Sequence, residues 1–420
     1  MKSLYGNAIV GQSGGPSSAI NATLAGVIRG ACADMGVHIR RLYGMRNGIE
    51  GFMEGNVINL TDIFYKDGII DLEGLEALSL TPAAALGSCR KKLPAPDSED
   101  EETVMEDIFH RLGALDIKYF FYIGGNDSMD TVAKLSAYAR KKNYEINFIG
   151  VPKTIDNDLM GCDHTPGYGS AAKYIATTVS EIIRDTAVYT VPAVTIVEIM
   201  GRDVGWLTAA SALGRIVSGY APDLVYLPEK VFDMNEFLSS VRKALTAHPN
   251  VVVAIGEGLK YADGSYVGAS AQSNARDIFG HKYLAGTARA LELAVRSEIG
   301  CKVRSVELNL PQRCAAHLLS AQDIEESLTV GARAVSLATS GVDGAFITIL
   351  RSTDGVGGYA YEISHVSISD VANRTRYVPV EFINEEGNNV TDECLNYILP
   401  LIRGERYPKY VGGLPVQFIL

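Results

Sequence analysis

Short, almost unbroken apolar runs that end in a turn bearing glycine recur along this chain, and three of them open directly into a segment of helical period. Residues 8–10 lead through 11–18 into a predicted helix over 19–35, and residues 119–123 lead through 124–127 into one reaching Lys142. A run over 193–199 leads through 200–203 into a third helix reaching Leu213, and the run 251–255 ends in the turn 256–258. Strands alternating with helices predict an α/β fold whose mostly parallel sheets carry helices on both faces. Runs such as VVVAI and FFYI lack the polar alternation of a strand with one wet face, which fits strands covered on both sides. In such folds ligands bind beyond the carboxyl ends of the strands, where these glycine turns fall.

The composition narrows what those turns hold. Glycine accounts for 42 of the 420 residues against only 15 prolines, above the usual share of about 7%. That surplus is expected in turns and close ligand contacts rather than in a disordered linker. With 38 basic and 49 acidic residues the formal charge is −11, and no basic tract interrupts it. This argues against duplex nucleic acid or an anionic membrane surface as a partner and leaves room for a small anion held by local cations. No apolar stretch approaches the 18 residues of a membrane span, and the N-terminal segment meets glycine before a secretory h-region could form. Cys32, Cys89, Cys162, Cys301, Cys314 and Cys394 are scattered without metal-site or disulfide spacing, as expected of free thiols in a reducing cytoplasm. The length predicts two to three domains, residues 94–102 an exposed acidic loop entering a helix, and residues 345–368 a late hairpin around 354–358.

Four post-strand clusters carry candidate chemistry. Gln12-Ser13-Gly14-Gly15-Pro16-Ser17-Ser18 offers backbone N–H groups and a helix N-terminus to a phosphate, or is merely a turn. It matches neither a dinucleotide nor a P-loop fingerprint. In Gly124-Gly125-Asn126-Asp127-Ser128, Asn126 and Asp127 can present oxygens to Mg²⁺ or simply cap the next helix. Val151-Pro152-Lys153-Thr154-Ile155-Asp156-Asn157-Asp158 sets two carboxylates two residues apart behind a lysine and a threonine. One of the two can take a proton from a hydroxyl while the other organises metal or water. The last group joins Glu198-Ile199-Met200-Gly201-Arg202, Gly256-Glu257-Gly258, Arg304 and Pro311-Gln312-Arg313. Its arginines suit a phosphate through forked, charge-assisted bonds, and its glycine-flanked glutamate suits sugar hydroxyls.

Taken in order, SGGPSSAIN, GGNDS, PKTIDND, IMGR, GEG and PQR resemble the phosphofructokinase family across most of the chain, with PKTIDND and MGR the most specific. Residues 277–286 are similar to its longer, pyrophosphate-using branch. The resemblance implies two Rossmann-like domains with the active site in the cleft between them. A phosphoryl-donor domain is expected over 1–160, completed by later segments, and a fructose 6-phosphate domain over 161–340. A C-terminal hairpin and helical segment over 341–420 would pack back on both.

The same resemblance implies that Asp156 is the general base for the sugar 1-hydroxyl, flanked by Thr154 and Asp158. Met200, Gly201 and Arg202 would hold the sugar phosphate and Glu257 a furanose hydroxyl. Arg304 and Arg313 would hold the 6-phosphate, with Gln312 beside them. Gly14, Gly15, Arg90, Gly125 and Ser128 would face the donor, and Asn126 and Asp127 would hold Mg²⁺. ATP-using relatives typically carry glycine where this chain has Asp127 and Lys153. An aspartate and a lysine fill the room an α-phosphate and nucleoside need, and Lys153 supplies a cation to a short donor. The implied reaction is reversible transfer from pyrophosphate to fructose 6-phosphate, giving fructose 1,6-bisphosphate and phosphate. An ATP-dependent 6-phosphofructokinase and a non-catalytic sugar-phosphate-binding subunit are the alternatives.

Departures from the family pattern are local. Asn126 stands where a metal-ligating aspartate is usual, which shifts Mg²⁺ toward Asp127, Asp158 or water. Ala193 replaces an arginine that in many relatives reaches a neighbouring subunit, Leu310 replaces a His or Tyr, and Cys314-Ala315-Ala316 follows PQR where glycines are common. A homo-oligomer, with a dimer favoured, is the expected assembly.

Overall fold

The computed structural model describes residues 4–268, 286–353 and 358–420. The stretch 277–285 and the turn 354–357, to which expectations were attached, lie outside the described residues.

Two sheets organise the molecule. The larger has seven strands in the order Ala360–Ser367, Ala345–Ser352, Asn147–Pro152, Ile117–Gly124, Gly6–Gln12, Ile39–Met45, Val57–Asn59. Its inner five strands run parallel, and each edge strand is antiparallel to its neighbour. The second sheet has four parallel strands in the order Lys302–Glu307, Ala193–Ile199, Asn250–Gly256, Leu224–Tyr226. The apolar runs read in the sequence are its central strands: Val251, Val253, Ala254 and Ile255 are buried, as are Phe120, Phe121 and Ile123 in the larger sheet.

Strand order reverses beside Gly6–Gln12: the chain first pairs it with Ile39–Met45 on one side, then returns with Ile117–Gly124 on the other. A crevice opens at such a switch point, beyond the carboxyl ends of the two diverging strands. Residues 13–16 and 125–128 occupy it. In the second sheet, Ala193–Ile199 lies between Asn250–Gly256 and Lys302–Glu307, so the turns after these three strands also converge.

Two details differ from the sequence reading. The helix expected from 204 to 213 is broken into Trp206–Ala210, a 3-10 turn Ser211–Leu213, and Gly214–Val217. A Cβ on Gly214 would lie 1.8 Å from the carbonyl oxygen of Tyr220, so the chain turns back closely there. The glycine surplus is also not confined to turns and ligand contacts. Gly26 in the helix Ile20–Ala33 and Gly331 in the helix Ala321–Thr339 let those helices touch backbone to backbone. A Cβ on Gly26 would lie 2.2 Å from the Leu328 carbonyl oxygen, and one on Gly331 would lie 2.2 Å from that of Thr23.

The C-terminal region serves both halves. The hairpin Ala345–Ser352/Ala360–Ser367 extends the larger sheet, while Leu395 and Ile398 of the helix Asp392–Ile398 join Trp206 and Ala209 in the core beside the second sheet. No helix among the described residues is long and apolar enough to cross a membrane. The six cysteines are free thiols, and only Cys314 is exposed.

Candidate active site

The carboxyl ends of both sheets face one cavity of about 610 Å³, within the usual range for a small-molecule site. On the side of the larger sheet, Gly14 turns the chain at φ +80°, in the left-handed region that glycine favours. A Cβ there would lie 3.2 Å from Lys153 Nζ, and one on Gly15 would lie 3.4 Å from Arg313 Nη1. Bare backbone at both positions therefore keeps open the space in front of two cations. Lys153 is almost wholly buried, and its Nζ donates to the Gly15 carbonyl at 2.7 Å.

The carboxylate turn follows directly. The Thr154 hydroxyl accepts from the Asp156 N–H at 3.1 Å and donates to Asp156 Oδ2 at 3.4 Å. Asn157 adopts φ +58°, and its side chain accepts from Thr165 N–H at 3.1 Å and donates to the Tyr397 hydroxyl at 3.2 Å. The turn is thus bolted to a second chain segment at Thr165 and to a third at Tyr397. Opposite it, the 17-residue helix Asn126–Lys142 points its N-terminus at the cavity, with Gly125 as its cap. A helix start of this kind attracts anions through its unpaired N–H groups and its dipole. Asn126 Nδ2 donates to Asp158 Oδ2 at 3.5 Å, its Oδ1 is buried without a hydrogen-bond partner, and Asp127 pairs with Lys92 at 3.3 Å.

The second sheet supplies the facing wall. Gly201, at φ +134°, donates its N–H to Glu257 Oε1 at 3.3 Å. Met200 N–H donates to Gln312 Oε1 at 3.1 Å, and Gln312 Nε2 donates to the Asn309 carbonyl at 3.0 Å. Those bonds fix three post-strand turns against one another. Gly258 has no room for a side chain, since a Cβ there would lie 1.6 Å from the Arg202 carbonyl oxygen.

Burial dominates the electrostatics. It raises the Asp156 carboxyl above the usual aspartate range, although Lys153, Arg202 and Arg313 pull it back. Burial, reinforced by the Asp156 charge, raises Asp158 to about 7. Lys153 is lowered to about 8, again by burial, against the opposing pull of Asp156 and Asp158. Glu257 is raised to about 7 by burial. Asp158 and Glu257, on facing walls, and Lys153 are thereby brought toward neutrality, a condition that favours proton transfer at physiological pH.

Residues 7–337 match the family described as phosphofructokinase. The chain belongs to the phosphofructokinase family. It is 39% identical over 411 residues to a pyrophosphate–fructose 6-phosphate 1-phosphotransferase of Halomonas elongata, covering 97% of this chain and 94% of that one. It is 37% identical to the enzyme of the same name from Methylococcus capsulatus, with the same coverage. The crystal structure of a pyrophosphate-dependent phosphofructokinase from Nitrosospira multiformis superposes with a TM-score of 0.86 at 36% identity, covering 98% of this chain and 95% of that one.

The cavity gathers nearly every residue the sequence put forward: Gly14, Gly15, Arg90, Gly125, Asn126, Asp127, Ser128, Lys153, Thr154, Asp156, Asp158, Met200, Arg202, Glu257, Gln312 and Arg313 all line it. Gly201 contributes through its backbone bond to Glu257. Arg304 is the exception. It is exposed, paired with Thr195 in mid-strand, and three residues before Glu307. At about 3.3 Å per residue it stops roughly 10 Å short of the strand's carboxyl end. Ala193 begins its strand at the end remote from Met200.

Sequence reasoning missed Asp203, Glu307, Asn309 and Thr375, which also line the cavity. Asn309 had a usable signal, being an Asn two residues past a strand and two before Pro311; the structure places it at φ +45°. Thr375 had none, because it comes from a segment more than 200 residues beyond the carboxylate turn. Glu198, read only as part of the MGR strand, also accepts from Ala288 N–H at 2.7 Å and so holds the start of the helix Thr287–Glu298.

Proposed function

We propose that this chain transfers a phosphoryl group from pyrophosphate to the 1-hydroxyl of fructose 6-phosphate, giving fructose 1,6-bisphosphate and phosphate, and catalyses the reverse reaction. The observation that carries the reading is the buried Lys153 ammonium on the donor side, bonded to the Gly15 carbonyl and lying within the field of Asp156 and Asp158.

Asp156 accepts the proton of the 1-hydroxyl as the sugar oxygen forms its bond to phosphorus. The bridging P–O bond breaks, and its electron pair leaves with inorganic phosphate. A carboxylate raised by burial is a better acceptor near neutral pH than an ordinary aspartate. Lys153, Arg90 and the N-terminus of the helix Asn126–Lys142 stabilise the negative charge on donor and leaving group. This kind of positioning and charge stabilisation is the greater part of phosphoryl-transfer catalysis. Arg202 and Arg313 face the sugar phosphate, and Glu257, raised to about 7, meets the furanose hydroxyls.

Mg²⁺ fits this donor set. Asp127, Asp158 and the unpartnered Asn126 Oδ1 offer hard oxygens, and the ion usually adds substrate phosphates and waters to one or two carboxylates. Bound there, it would neutralise phosphate charge. Among the described residues no group of three or more His, Cys, Asp or Glu could by itself hold a metal ion.

Arg304, exposed in mid-strand and away from the cavity, drops out of the 6-phosphate site of its own chain, and a homodimer is the proposed assembly. Free thiols support a cytoplasmic setting. The donor assignment is tested by assaying the protein with pyrophosphate and ATP side by side, with fructose 6-phosphate and Mg²⁺ in each. Turnover with pyrophosphate well above that with ATP is the expected result; equal or faster turnover with ATP overturns it.

A further inference from the structure

The Asp156–Asp158 turn and the Met200–Arg202 turn belong to different sheets, so something must set the distance between them. Arg376 touches the supports of both, beside Tyr397, which accepts from Asn157 and packs on Trp206. Arg376 donates its backbone N–H to the Asp158 carbonyl at 2.8 Å and its Nη1 to the Asn157 carbonyl at 3.3 Å. Its own carbonyl accepts from the indole N–H of Trp206 at 3.1 Å. The guanidinium lies 4.3 Å from the Trp206 ring centroid and donates through Nη2 to the Tyr397 hydroxyl at 3.3 Å. Trp206 is fully buried and begins the short helix that follows the Met200–Arg202 turn. Leu159 and Thr375 form an antiparallel bridge beside these contacts.

We propose that Arg376 is a positioning residue for phosphoryl transfer, fastening the Asp156–Asp158 turn to the Trp206 support of the sugar-phosphate turn. Arg376 does not line the cavity, although its neighbour Thr375 does, so it acts through the turn and not on either substrate. Two features call for such a fastening. Asn157 holds a left-handed backbone conformation, which persists only where surroundings over-determine it. Reacting groups displaced by about 1 Å can lose on the order of 100-fold in rate. The planar guanidinium is suited to the task, because it stacks on an indole face while its fork reaches two separate acceptors. A lysine supplies its donors from a single nitrogen and lacks the planar group that stacks and forks.

The inference rests on the reading of Asp156 as the base, so Arg376→Met, Arg376→Lys and Asp156→Asn are assayed together with pyrophosphate, fructose 6-phosphate and Mg²⁺. Arg376→Met keeps the bulk over Trp206 and removes the donors. It is expected to lower kcat ten- to a hundredfold, with KM for pyrophosphate within threefold of wild type and an unchanged melting temperature. Arg376→Lys is expected to recover part of that loss. Wild-type kcat in Arg376→Met, with Asp156→Asn inactive, overturns the positioning role alone; wild-type kcat in Asp156→Asn overturns the reading beneath it. A kcat loss in Arg376→Met that Arg376→Lys does not relieve, matched by an equal fall in melting temperature, makes the residue merely structural and also overturns the proposal.

Discussion

The Lys153 ammonium donates to the Gly15 carbonyl at 2.7 Å, joining the turns that follow two strands separated in the larger sheet by Ile117–Gly124. The bond holds a buried cation at a fixed place on the cavity wall formed by the larger sheet. Replacing Lys153 by glycine is expected to lower kcat/KM for pyrophosphate on the order of 10²–10³-fold, the usual cost of removing one group that stabilises transition-state charge. Steady-state kinetics checks this, and unchanged values would remove Lys153 from the donor side.

Asp156→Asn keeps the shape of the turn and removes the proton acceptor. Its kcat should fall on the order of 10²–10⁴-fold, the range for loss of a general base. Binding of fructose 6-phosphate, measured by calorimetry, should change little.

The pH profile of kcat/KM follows from opposed shifts. Burial raises the Asp156 carboxyl and brings Asp158 to about 7, so activity should fall on acidification at a higher pH than ordinary aspartates would give. Lys153, lowered to about 8, should lose its charge and its effect as pH rises past that value. The profile is expected to be bell-shaped, because kcat/KM reports groups of the free enzyme. Lys153→Arg should move only the alkaline limb, to higher pH; an unmoved limb would assign it to another group.

Behind the carboxylate turn, the buried His164 ring donates from Nε2 to Glu326 Oε2 at 2.6 Å and from Nδ1 to Asp163 Oδ2 at 2.8 Å. Burial opposes the imidazolium charge, but Glu326 and Asp163 outweigh it and raise His164 to about 9. A folded value above the unfolded one of about 6.5 means that the contribution is complete below that pH and is lost as pH rises through about 9. Glu326→Gln should destabilise the protein by about 3 kcal/mol at pH 6, the scale for breaking one side of a buried pair. The deficit should shrink toward pH 9. Denaturant titrations at the two pH values check the sign.

Gly331→Ala places a Cβ 2.2 Å from the Thr23 carbonyl oxygen. Backbone cannot rotate aside as a side chain can, so the two helices must separate, at about 1–3 kcal/mol for overpacking. A melting temperature equal to wild type would show that the helices slide without loss.

How much the sequence disclosed depended on how local the signal was. The strands, the post-strand turns and the polar residues on them were legible, because continuous apolar runs ending in glycine constrain both fold and ligand edge within a dozen residues. Thr375 and Arg376 were not, since their importance comes from the fold returning a distant segment to the carboxylate turn. Arg304 looked like its neighbours Gln312 and Arg313 in sequence, but strand register leaves it well before the cavity rim. Gly26 and Gly331 sat in helical pattern, where a close helix crossing leaves no periodic mark.

The strands of the second sheet fall wholly within residues 193–307, whereas the larger sheet needs residues 345–367 to finish one edge. During synthesis the ribosome therefore releases every strand of the smaller sheet while the Asn147–Pro152 strand, paired on one side with Ile117–Gly124, still lacks its other neighbour Ala345–Ser352. Chains of this size fold by units as those units emerge. The sheet that receives its last strand latest is the one whose Asn147–Pro152 strand leads to Asp156, so a truncated product that stops short of residue 345 carries all four strands of the second sheet and an open strand edge on the larger one.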